Sequence, residues 1–156
     1  MKKNETTEIL ESKKQLTLFG YENYFNFFYK LNKKNILPNS MLITGQKGLG
    51  KSTFIYHFIN YLLSNNQKHP YNLKNFSIDL NNSDYKLLQS NAHPNLFILD
   101  AINEDNIKIE KIRNLLLFLN KTTYQRNLKI VLIDDAEYLN INSSNALLKA
   151  IEEPRE

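Results

Sequence analysis

Lys51 and Ser52 close the run Gly45-Gln46-Lys47-Gly48-Leu49-Gly50-Lys51-Ser52, whose spacing satisfies G-x-x-x-x-G-K-[ST]. Glycines at these offsets let the backbone curl so that its N–H groups point at phosphate oxygens. A helix starting directly after them would add its positive dipole end. The Lys51 ammonium then has the reach for β- and γ-phosphates, and the Ser52 hydroxyl is suited to binding Mg²⁺. Thr53 extends the candidate cofactor-binding run to residues 45–53. The chemistry implied is the grip of a nucleoside triphosphate or diphosphate, ATP or ADP, with Mg²⁺.

A phosphate-bound Mg²⁺ also needs a carboxylate, commonly through water, at the edge of a sheet. Ile130-Val131-Leu132-Ile133-Asp134-Asp135 offers one, an apolar run ending in acid, and Asp134 joins Ser52 as a candidate metal residue. Taken alone, a strand ending in acids is a common structural device. Asp135 and Glu137 are the candidates for a catalytic base that activates water. An Asp is one methylene shorter than the Glu many such enzymes use there, and Glu137 lies past the strand end. Nucleotide binding is therefore better supported than hydrolysis.

These residues need elements to hold them. The apolar run at residues 41–44 stops at Gly45, and residues 54–63 carry apolar side chains at helical spacing, which gives strand, glycine loop and helix in order. A second strand is expected at residues 96–99 and a third at 129–133. Between them, Ile109, Ile112, Leu115, Leu116 and Leu119 form one stripe of an amphipathic helix over residues 107–120. A last helix carries Ala146, Leu147, Leu148 and Ile151, is capped by Asn142 or Ser143 and stops at Pro154. Upstream, the spacing of Tyr24, Phe28 and Leu31 predicts a helix packed on a core. Strands alternating with helices argue for an α/β fold with a parallel sheet flanked by helices. Residues 1–17 read as a flexible lead-in.

The 156 residues are 42% hydrophobic, enough for one ordinary core. The net charge of +4 is a mild excess, compatible with nucleic acid but also with compositional bias. No cysteine occurs, which excludes disulfides and thiolate zinc sites, so no zinc is expected. The N-terminus lacks the apolar core of a signal peptide and no apolar run is long enough to span a membrane, so a cytoplasmic chain without membrane contact is expected. His93 before Pro94 fits a turn residue better than a ligand. Lys108, Lys111, Arg113, Lys121, Arg126 and Lys129 could face phosphates, or could simply form a solvated basic face.

Four stretches together resemble the AAA+ clamp-loader ATPases, most closely the delta-prime branch of that family. They are Leu18-Phe19-Gly20-Tyr21-Glu22, Leu37-Pro38 before the P-loop, His93-Pro94-Asn95-Leu96, and Asn145-Ala146-Leu147-Leu148-Lys149-Ala150-Ile151-Glu152-Glu153-Pro154. The resemblance implies a P-loop NTPase sheet with residues 18–156 as a partial nucleotide-binding domain, and places residues 18–21 near adenine. It implies a DNA replication role in a hetero-oligomer of clamp-loader subunits that helps load a sliding clamp on primed DNA.

The same resemblance implies elements beyond Glu156: a sensor-1 strand, a Ser-Arg-Cys motif, a helical lid and a collar. The sensor-1 strand would sit between residues 41–44 and 129–134, so the chain is read as partial, with ladder groups unpaired there. The absence of cysteine and the order Asp134-Asp135-Ala136-Glu137 fit the zinc-free delta-prime branch better than the family's motor subunits. Two alternatives stay open: an actively hydrolysing motor subunit, and a P-loop small-molecule kinase.

Overall fold

The computed structural model describes residues 11–64, 67–99, 109–121 and 128–152. Lys108 and Arg126 of the basic cluster, residues 107–108 of the expected helix, and Glu153 with Pro154 lie outside the described residues. The chain divides into two compact units, Met1–Gln89 and Ser90–Glu156.

The first unit contains α1 (Glu22–Lys33), α2 (Lys51–Ser64) and α3 (Ser83–Gln89), preceded by a 3-10 turn at Ser12–Lys14. Its core is aromatic. Phe25 is fully buried, stacks on Tyr71 with ring centroids 5.0 Å apart, and meets Phe58 and Tyr61 edge-on. Leu18, Phe54, Ile78 and Tyr85 complete the cluster. Tyr24, expected on the core stripe, is 62% exposed. Aromatics at positions 24, 25, 27, 28 and 29 leave the helical phase open, and contact with α2 selects position 25 for the interior.

α1 ends in a full Schellman motif. The Asn35 N–H donates to the Asn32 carbonyl and the Ile36 N–H to the Leu31 carbonyl, with Asn35 in the left-handed region at φ 55°. α2 is buried nearly all round, including three polar residues, His57, Asn60 and Ser64. His57 bridges two neighbours: Nε2 lies 3.1 Å from the Gln15 carbonyl and Nδ1 2.9 Å from the Tyr71 hydroxyl. A carbonyl can only accept, so Nε2 carries the proton and Nδ1 accepts from Tyr71. Asn82 caps α3, its Oδ1 accepting the Tyr85 N–H at 2.8 Å.

Residues 41–44 form no strand, contrary to the sequence expectation. A strand exists only where a ladder partner satisfies its backbone, and the described residues of this unit offer only isolated bridges at Thr17, Asn72 and Ser77. Ile43 packs against the core, whereas Leu42 is 81% exposed.

The second unit contains β1 (Leu96–Leu99), α4 (Ile109–Asn120), β2 (Ile130–Ile133), a 3-10 turn at Ala136–Tyr138, and α5 (Ile141–Glu152). β1 and β2 are parallel, with Leu96 opposite Ile130 and Leu99 opposite Ile133. Ile112 of α4 is buried against Leu99, with Phe97, Leu116, Ile133, Leu139 and Ala146 around them. The fold is α/β, a parallel strand pair flanked by helices, as the sequence predicts. The cap of α5 is Asn140 rather than Asn142 or Ser143: its Oδ1 accepts the Ser143 N–H at 2.8 Å. Among the described residues, no helix is long and apolar enough to cross a membrane.

Candidate phosphate-binding site

Gly45, Gln46, Lys47, Gly48 and Leu49 form an exposed loop that passes through Gly50 into the first turn of α2. Gly48 and Gly50 both sit at φ 84°, where a side chain would be strained, so the loop's path depends on glycine at these two positions. The first turn of α2 contains no acid to oppose an anion at its N-terminus. Lys51 folds back over the loop, its Nζ donating to the carbonyls of Gly45 and Gln46 at 2.8 Å each. The ammonium is thus held at the loop by groups that a phosphate oxygen can replace. Ser52 and Thr53 are half-buried beside it.

The loop is also supported from outside. The Tyr21 hydroxyl donates to the Leu49 carbonyl at 2.8 Å, and the Tyr21 ring stacks on Phe54, 5.3 Å between centroids. Residue 21 draws attention in the sequence only through the resemblance at residues 18–22. The contact itself joins positions 28 apart and has no local signal.

The three candidate acids lie together after β2, in the second unit. The Asp134 N–H continues the parallel ladder by donating to the Leu99 carbonyl at 2.8 Å, and the Asp134 Oδ1 accepts the Asp135 N–H at 3.1 Å. Asp135 is left-handed, φ 52° and ψ 50°, and leads into the turn that exposes Glu137. The structure thus groups residues 45–53 in one unit and Asp134, Asp135 and Glu137 in the other. Among the described residues, no group of three or more His, Asp or Glu side chains could hold a metal ion.

Two further candidates, His93 and Lys129, have structural roles. His93 is buried, and its Nδ1 accepts the Asn95 N–H at 3.1 Å in the turn before β1. Lys129 is held at the end of α4. Its ammonium donates to the carbonyls of Phe118 and Leu119 at 2.9 Å and also to that of Lys121, and lies 5.5 Å from the centre of the Phe118 ring. It therefore satisfies the last carbonyls of α4 and complements the dipole there.

Comparison with known proteins settles the relationship. The family described as "DNA polymerase III, delta subunit" matches residues 20–156. The chain belongs to that family. Curated relatives named DNA polymerase III subunit delta' agree, and so place the chain in the delta-prime-like clamp-loader family. The protein of Pseudomonas aeruginosa is 39% identical over 70 residues, 44% of this chain and 21% of the relative. That of Haemophilus influenzae is 35% identical over 69 residues, with the same coverage. That of Buchnera aphidicola is 28% identical over 127 residues, 81% of this chain and 37% of the relative. The matches thus span between about a fifth and two fifths of the relatives' own length.

Proposed function

We propose that this chain grips ATP or ADP with Mg²⁺ through residues 45–53 and acts in the cytoplasm as a subunit of the DNA polymerase III clamp loader. There it would assemble with other clamp-loader subunits and help place the sliding clamp on primed DNA. The observation that carries the nucleotide reading is Lys51, held by two loop carbonyls at the start of α2 in a loop that requires its glycines. In this reading the loop amides and Lys51 bind phosphate, and the Ser52 hydroxyl supports the metal. The bound Mg²⁺ would neutralise phosphate charge.

Turnover is a separate matter, and its base would be Asp135 or Glu137. A small-molecule kinase finds no support in the family to which the chain belongs. Titration of the full-length protein with ATP and Mg²⁺ tests the grip: Lys51→Ala should weaken binding at least about tenfold, the loss of a charge-assisted contact. Equal affinity in the variant would overturn the reading. In the assembled complex, loss of hydrolysis on Asp135→Asn or Glu137→Gln would identify an active motor, and unchanged hydrolysis an architectural subunit.

A further inference from the structure

Tyr21 occupies the N-cap position of α1, and the helix holds it in place. Its carbonyl accepts the Phe25 N–H, while the Glu22 carboxylate accepts the Gly20 N–H. Its ring lies against Phe54, a core residue of α2, and the Tyr24 ring is 5.8 Å away. From this fixed base the hydroxyl reaches the Leu49 carbonyl. A β-carbon added at Gly50 would stand 3.6 Å from the same ring, so the tyrosine lines the loop as well as bonding to it.

Leu49 is exposed and stands between Gly48 and Gly50, the two positions of greatest backbone freedom. A trans peptide carries its C=O and N–H on opposite edges. Tying the Leu49 carbonyl to Tyr21 therefore turns the Gly50 N–H away from the tyrosine and fixes its direction. An amide held in advance costs less ordering when an anion arrives.

We propose that Tyr21 is a positioning residue of the phosphate loop, which through the Leu49 carbonyl holds the Leu49–Gly50 peptide in the orientation that accepts phosphate. Tyr21 is not required to touch the nucleotide in this role. The proposal rests on the phosphate-binding reading of residues 45–53.

Tyr21→Phe tests it, because the variant keeps the stack on Phe54 and removes only the hydroxyl. Three measurements on the full-length protein are needed: amide hydrogen exchange across residues 48–51 without nucleotide, affinity for ATP with Mg²⁺, and melting temperature without nucleotide. Exchange should quicken and affinity fall, each by about two- to tenfold, the effect of one lost neutral hydrogen bond. The melting temperature should stay within about 2 °C, which separates positioning from a general loss of fold. Tyr21→Ala, which also removes the stack, should lower the melting temperature. Unchanged exchange in Tyr21→Phe overturns the proposal, as does unchanged affinity where the parent protein binds ATP. If the parent protein binds no nucleotide, the phosphate-binding reading fails by itself, and exchange at residues 48–51 alone decides whether Tyr21 holds the loop.

Discussion

His57 shows how a single buried side chain ties stability to pH. Both ring nitrogens are engaged, and burial pushes its imidazole down to about 4, against a gain from the Gln15 carbonyl that offsets only part of the shift. Burial likewise pushes the Tyr71 phenol up, so that it remains a donor to His57. The folded state disfavours the proton, so the stabilising contribution is complete above pH 6.5 and is lost as pH falls from 6.5 towards 4. At pH 5 the unfolding free energy should be roughly 2 kcal/mol lower than at pH 7.5 on account of this group. Denaturant unfolding at the two pH values measures it. His57→Gln should flatten the difference; a variant that keeps the full pH dependence would assign it to other groups.

At the scale of elements, helix ends carry much of the definition. Asn35 closes α1 from a left-handed backbone that a β-carbon resists unless a short polar side chain is present. Asn35→Ala should cost about 1 kcal/mol and Asn35→Gly little or nothing, read as melting temperatures. The helices and strands of the second unit were legible in the sequence because their apolar residues repeat cleanly: Leu96 to Leu99, Ile130 to Ile133, and the stripe through Ile112 and Leu115. α1 was legible as a helix but not in its phase, since aromatics crowd both sides of the stripe. The cap at Asn140 was missed because Asn140, Asn142 and Ser143 all have capping chemistry, and only the chain's direction chooses among them. The glycine loop of the candidate site was the clearest feature, being contiguous and set by spacing alone. Its support by Tyr21 was invisible, because a contact between positions 21 and 49 is made by folding.

On the scale of the whole molecule, the expected strand at residues 41–44 failed for a reason no local pattern contains: pairing requires a second strand within reach. What remains is a largely apolar segment with Leu42 turned to solvent and Met41 partly so. Backbone groups and side chains of this kind invite association with other chains. Leu42→Lys should slow aggregation at rising protein concentration, measured by light scattering, while the melting temperature stays within about 2 °C because position 42 makes no core contact. Aggregation at the parent rate would place the adhesive surface elsewhere, for example at Ile141, which is as exposed.

The left-handed backbone at Asp135 bears on how this site could change over evolutionary time. Asp and Asn tolerate that conformation several-fold better than most residues, Glu among them. A mutation to the longer acid, the residue expected of a hydrolysing motor at this position, would gain one methylene of reach while entering an unfavourable backbone geometry. Under the proposed function, one-step conversion between a nucleotide holder and a motor would thus be impeded by the main chain at position 135, where the turn at Ala136–Tyr138 begins, as well as by the side chain.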